Sequence, residues 1–174
     1  AFLRARLIDL FLGDWDRHRD QWRWARFPGA DSSWKPIPRD RDQALSSYDG
    51  LLLRIASYSL PQFVTFEAEY PDATRLHWNA RELDRRILTV LPRSVWDSTA
   101  TALQARLTDA VLRDALDRLP AELQGDHADW VFARLQQRRD ALPRAAHALY
   151  RLLAREVDLT ATDAQDSVVA RSTP

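Results

Sequence analysis

A mainly α-helical fold carrying one small β-hairpin is predicted for this chain, from three observations. Leucine and isoleucine recur at three- and four-residue spacings near the start and again from residue 80 onward, as on one face of a helix. The stretch 22–38 alternates instead and is split by turn residues, which suits two short strands. Between them lies GDWDRHRDQWRW, residues 13–24, which follows neither period and packs three acids, three arginines and three tryptophans into twelve positions. The length of 174 residues suggests one domain.

The elements follow in order. Leu3, Leu7, Ile8 and Phe11 make one apolar face, predicting a helix over 2–12. Gly13 suits a left-handed C-cap just past it. WRWARF, 22–27, reads as a strand with Trp22 and Trp24 on one face and Arg23 on the other. PGADSS is turn chemistry, and WKPIP, 34–38, returns as the second strand. Pro36 and Pro38 share parity, so both missing N–H groups can point away from the partner strand.

After Asp42 a helical patch is expected at Leu51, Leu52 and Ile55, then an irregular aromatic stretch with Phe63, Phe66 and Tyr70. A helical subdomain is predicted over about 80–157. Leu83, Ile87 and Leu91 share one face, Leu103, Leu107, Val111, Leu112, Leu116 and Leu119 another, and Trp130, Leu135, Leu142, Leu149, Leu152 and Leu153 a third. Pro92, Pro120 and Pro143 sit near the breaks, Pro143 at a helix start. Residues 160–174 read as a polar linker or tail.

Composition excludes several classes of function. Net charge is zero, so no bulk field draws the chain to nucleic acid or an acidic membrane, although a local basic patch is compatible with it. There is no cysteine, hence no disulfide, thiolate metal site or cysteine nucleophile. No apolar run is long enough to span a membrane. The chain has no methionine and opens directly on FLRARLIDLFL, which reads as a fragment of a longer protein.

Two acidic clusters flank the hairpin: Asp14, Asp16 and His18 before it, Asp40 and Asp42 after it. A hairpin brings its ends together, and carboxylates gathered in this way repel unless a cation is present. Magnesium or manganese beside a substrate phosphate suits such oxygen-rich groups; neighbouring arginines can neutralise them instead. The plain structural reading is a solvated Asp–Arg network, with Trp15, Trp22, Trp24 and Trp34 stabilising a hairpin through aromatic pairs. His77, His127 and His147 show no ligand spacing. His127 and the RRD run at 138–140 read as exposed helix faces, and Arg81 with Arg85 hints at a partner surface.

DRHRDQ resembles the catalytic loop of the atypical kinases, in which an Asp-Arg-His run is followed by an amide residue five places after the aspartate. HipA-type toxins, the phosphatidylinositol-kinase-like group and secretory-pathway kinases carry versions of it. WKPIPRDRDQ resembles the tryptophan, proline, Asp-x-Asp segment of the spore-coat CotH kinases. The resemblance covers roughly residues 5–45. It implies that 1–159 is a kinase-like C-lobe of helix, catalytic loop, small hairpin and helical bundle.

By that resemblance Asp16 serves the acceptor hydroxyl, Arg17 and His18 shape the loop, Gln21 takes the metal-binding amide position, and Asp40 or Asp42 supplies the metal-binding carboxylate, Asp40 preferred. The family usually has asparagine or glutamate where this chain has Gln21. The implied cofactors are magnesium or manganese with ATP. The implied partners are a nucleotide, an unidentified hydroxyl acceptor and an upstream N-lobe of the same chain. No glycine-rich phosphate loop or lysine precedes Asp16, and Lys35, the only lysine, lies after it. The fragment alone is therefore expected to be inactive. The resemblance favours the cell envelope or periplasm over the cytoplasm. The alternative is a non-catalytic, pseudokinase-like or helical interaction module of an envelope protein. A metal-dependent phosphoesterase ranks last, since it needs more histidine ligands than this chain assembles.

Overall fold

The computed structural model describes residues 1–29, 33–48, 50, 55, 60–156, 162–167 and 169. Among them the architecture is mainly helical with one two-stranded antiparallel hairpin. Helix α1 spans Phe2–Leu12 and ends at Gly13, whose φ of 70° is the left-handed geometry of a helix C-cap. The Asp14 N–H bonds the Asp9 carbonyl at 2.9 Å and the Gly13 N–H bonds that of Leu10 at 3.1 Å, closing the helix end. The positive φ favours glycine here, and a Cβ at position 13 would also crowd the Phe66 ring at 3.1 Å.

After a 3₁₀ turn over Arg19–Gln21, strands β1 (Trp22–Ala25) and β2 (Lys35–Pro38) pair in the register Trp22↔Pro38 to Ala25↔Lys35. Both prolines face tryptophans, Pro38 opposite Trp22 and Pro36 opposite Trp24. The ladder bonds therefore fall to the alternate pairs, which tolerate the missing N–H groups. The same alternation continues to Gln21, whose carbonyl accepts from the Arg39 N–H at 2.8 Å.

The helices that follow are α2 (Ala73–His77), α3 (Arg81–Leu88), α4 (Arg93–Arg106), α5 (Asp109–Leu116) and α6 (Asp126–Leu153). Helix α6 is the axis: α1, α2, α3, α4 and α5 all pack on it. The core runs from Phe2, Leu7 and Leu10 through Phe66, Leu88 and Trp96 to Leu142, Leu149 and Leu153. No helix among the described residues is long and apolar enough to cross a membrane.

Trp22 and Trp24 share a face, as the alternation predicts; Trp22 is buried and Trp24 lies at the margin, stacked on Phe2 at 5.8 Å. Several other expectations are corrected. The apolar face drawn from Leu103 to Leu119 is two helices. Leu107 leaves helical geometry, Thr108 caps α5 by accepting from the Val111 N–H at 3.3 Å, and Val111 is exposed. Pro143 starts no helix but sits inside α6. Arg138 is buried, contrary to an exposed RRD face. Leu51 and Leu52 lie outside the described residues, as do 157–161 and much of the tail; Ile55 is exposed. Arg81 and Arg85 form no joint patch: Arg81 caps the Trp78 ring, and Arg85 pairs with Glu156 at 2.9 Å.

Candidate functional site

Two residues on the buried face of α1 are charged. Arg6 and Asp9 stand one helical turn apart, and both are fully buried. Arg6 grips Asp84 of α3 with two parallel bonds, Nε–Oδ1 at 2.7 Å and Nη2–Oδ2 at 3.0 Å, and holds Asp9 at 3.0 Å. A planar guanidinium matched to a carboxylate is the geometry in which a buried pair offsets its desolvation. His77 completes the cluster, with Nδ1 3.1 Å from Asp84 Oδ2. Burial pushes the Asp84 carboxyl up, but Arg6 and His77 outweigh it, and the net shift is downward.

Asp9 in turn anchors the loop. Arg17 Nε lies 3.4 Å and Arg41 Nη1 2.6 Å from its carboxylate. Arg17 is fully buried; it donates to the carbonyls of Arg39 and Asp40, each at 2.6 Å, and to that of Gln21 at 3.2 Å. It also covers the Trp22 ring at 4.9 Å. A single side chain thus ties the loop before the hairpin to the segment after it. The hairpin does bring its two ends together, and the Arg17 guanidinium links them.

Asp14 is buried beside this cluster but poorly paired, 3.5 Å from Arg17 and 3.9 Å from Arg41. Desolvation and the nearby Asp9 outweigh those arginines and raise its pKa to about 6.

The other acids are treated differently. Asp16 is partly exposed and among the described residues touches no arginine or lysine: Asn79, in the turn between α2 and α3, donates to Oδ1 at 2.9 Å, and His18 Nε2 stands 3.9 Å away. His18 Nδ1 accepts from the Asp20 N–H at 3.3 Å, which places the ring proton on Nε2, the atom facing Asp16. Asp40 has φ 41°, a left-handed conformation that aspartate tolerates better than most residues, and its Oδ1 accepts from the Asp42 N–H at 3.4 Å. This turn sends Arg41 inward to Asp9 and leaves Asp40 and Asp42 exposed. Among the described residues neither of those two carboxylates pairs with a cation; Asp42 accepts only from Gln43, at 2.9 Å.

The sequence-predicted residues thus fall into two groups. Arg17 is the buried brace. Asp16, His18, Asp40 and Asp42 are accessible, and Gln21 is half-buried with its backbone carbonyl engaged by Arg17 and Arg39. Sequence reading missed Arg6, Asp9, Arg41, His77, Asn79 and Asp84. Arg6 and Asp9 carried one signal, charged side chains on the apolar stripe of α1; the others lie far from it in sequence. No three His, Asp or Glu side chains among the described residues gather as a metal site. In comparisons with known proteins no family model matches the chain, and neither curated proteins nor solved structures show a relative.

Proposed function

We propose that this chain is the catalytic C-lobe of an atypical kinase, transferring the terminal phosphoryl group of a nucleotide to a hydroxyl acceptor. One observation carries the reading. Around the loop and hairpin, Asp9 and Asp14 are buried against arginine, whereas Asp16, Asp40 and Asp42 are left accessible and, among the described residues, without an arginine or lysine partner. Exposed, un-neutralised carboxylates at the two ends of one hairpin are where a cation and a phosphate can be received. The order of elements supports it: helix, loop with Asp16, two short strands, then Asp40.

In this reading Asp16 orients the acceptor hydroxyl and draws off its proton. Asn79 holds one carboxylate oxygen and leaves the other to the acceptor. Arg17 fixes the loop to the Asp40 backbone, and positioning of this kind is most of what phosphoryl transfer asks of a protein. Magnesium takes one or two carboxylates and completes its shell with phosphate and water. Asp40 and Asp42, together with the Gln21 amide, would supply that donor set without a three-residue cage. When bound, the metal would neutralise charge on the transferring phosphate. The reading also asks for a phosphate-gripping lobe ahead of Asp16, so its tests belong to the complete protein.

The second reading, a non-catalytic pseudokinase-like module, is favoured by Gln21, which stands where the family usually has asparagine or glutamate. Calorimetric titration with an ATP analogue and manganese or magnesium separates the two. Metal-dependent binding abolished by Asp40→Ala/Asp42→Ala is expected; no such binding assigns the module. Asp16→Asn is expected to abolish transfer while the thermal transition is unchanged. Unchanged turnover removes Asp16 from this role.

A further inference from the structure

Two arginines tie the loop to the segment after the hairpin, and two buried carboxylates share them. Asp9 holds the first claim. Arg41 Nη1 lies 2.6 Å from its Oδ1, and Arg17 Nε and Arg6 Nη1 lie 3.4 and 3.0 Å from its Oδ2. Asp14 stands second for both: its Oδ2 is 3.5 Å from Arg17 Nη1 and 3.9 Å from Arg41 Nη1. That oxygen is buried, and no hydrogen bond reaches it among the described residues.

The reason lies in the donors. Arg17 Nη1 carries two hydrogens, and the carbonyls of Arg39 and Asp40 each lie 2.6 Å from it. Arg41 Nη1 is drawn to Asp9. Asp14 gains a donor from these arginines only when Arg17 releases a carbonyl or Arg41 shifts from Asp9. A charged carboxylate buried without a donor is costly, so the ionised form favours that exchange; the protonated form makes no such demand. The charged groups facing Asp14 are Arg6 and Asp9 of α1, Arg17 of its own loop and Arg41 from beyond β2. His18 stands by Asp16 on the outer side of the loop, where Asn79 holds Asp16. Desolvation by burial sets the change of state, at a pKa of about 6.

We propose that Asp14 is a proton-operated latch on segment 39–42: neutral, it leaves Arg17 and Arg41 committed to that segment and to Asp9; ionised, it draws on both and loosens the segment. Asp40 and Asp42 lie in the segment, so the catalytic reading would acquire a pH control. The latch itself does not rest on that reading.

The reporter is the Arg39 N–H, which bonds the same Gln21 carbonyl that Arg17 Nη2 reaches. Amide hydrogen exchange of the complete chain, followed by NMR and corrected for the intrinsic pH dependence of exchange, tests the proposal. Raising the pH from about 5 to about 7 is expected to lower Arg39 protection about tenfold, as linkage requires when opening returns the carboxyl to its ordinary pKa. At both pH values that protection should stay well below that of the α4 amides, which marks a local opening. Asp14→Asn and Asp14→Ala, neutral by two routes, are expected to abolish the step. His18→Asn, which keeps an acceptor for the Asp20 N–H, is expected to retain it. Protection of Arg39 that does not change with pH overturns the proposal. So does a step that persists in both Asp14 variants, or one that vanishes with His18 and belongs to that ring. Exchange of Arg39 only at the rate of α4 overturns it too, since that opening is global.

Discussion

Asp14 and Asp16 are two residues apart and have opposite fates. Asp16 faces outward to Asn79; Asp14 faces inward, where its contacts with Arg17 and Arg41 are too long to offset burial. Its pKa of about 6, against the usual 3.8, means that between those values the folded chain holds a proton which the unfolded chain has released. The contribution of Asp14 to stability is therefore greatest at low pH and is lost as pH rises through about 6. Asp84 has the opposite sign: its lowered pKa contributes stability above the ordinary carboxylate range and loses it on acidification. Asp14→Asn is expected to flatten the pH dependence between about 4 and 6 and to raise stability at pH 7 by roughly 1–2 kcal/mol. Urea melts of parent and variant at both ends of that window decide it; a variant less stable at pH 7 would show that the charge on Asp14 is needed.

Helix α6 is longer than its internal proline should allow. Proline has no N–H to give the carbonyl four residues earlier, here that of Arg139. Gln104 of α4 supplies the missing donor: its Nε2 lies 3.1 Å from the Arg139 carbonyl and 3.3 Å from that of Asp140. The side-chain amide of one helix thus repairs the backbone of another and sets where α4 crosses α6. Gln104→Ala is expected to destabilise the chain by about 1–2 kcal/mol, the cost of an acceptor left unmade. In a Pro143→Ala background, where the new N–H can bond Arg139, the same change should cost much less. A double-mutant cycle by thermal or chemical denaturation reads that coupling, and additive effects would refute it.

The molecule closes around two buried arginine centres. One is Arg6 with Asp9 and Asp84, joining α1 to α3. The other, Arg138, has no carboxylate partner among the described residues. It donates to the carbonyls of Leu10 and Phe11 at 2.5 and 2.8 Å and to those of Glu67 and Glu69 at 2.9 and 3.2 Å. It also stacks on Tyr70 at 4.0 Å. Two of those carbonyls belong to the last turn of α1, where the helix dipole favours a cation. Burial without a counter-charge lowers the Arg138 pKa to about 10, while burial raises that of Tyr70. Arg138→Met keeps much of the volume and removes the donors, so about 3–5 kcal/mol should be lost in a single cooperative transition. Loss confined to the 67–70 segment by hydrogen exchange would show that Arg138 pins a loop and not the whole fold.

Local pattern was enough for helix α1, its glycine cap, the hairpin and the tolerance of its prolines, because each depends on neighbours a few residues apart. The break at Thr108 was legible too: Thr-Asp ahead of an apolar pair is N-cap chemistry that the continuous leucine spacing concealed. Asp16, His18, Asp40 and Asp42 could be picked out as accessible acids and a histidine flanking a turn. Which carboxylates stay accessible, however, depends on partners far along the chain. Asp84 is 78 residues from Arg6, Asn79 is 63 from Asp16, and Arg138 is 127 from Phe11. Spacing in sequence carries no information about such contacts, because a guanidinium fork or an amide acts wherever tertiary packing delivers it. Residue order alone therefore decided the helix–loop–hairpin frame and its acidic ends. Only the packing of α1, α3 and α6 decided which charges were buried as structure and which stayed accessible, because burial depends on partners that packing alone delivers.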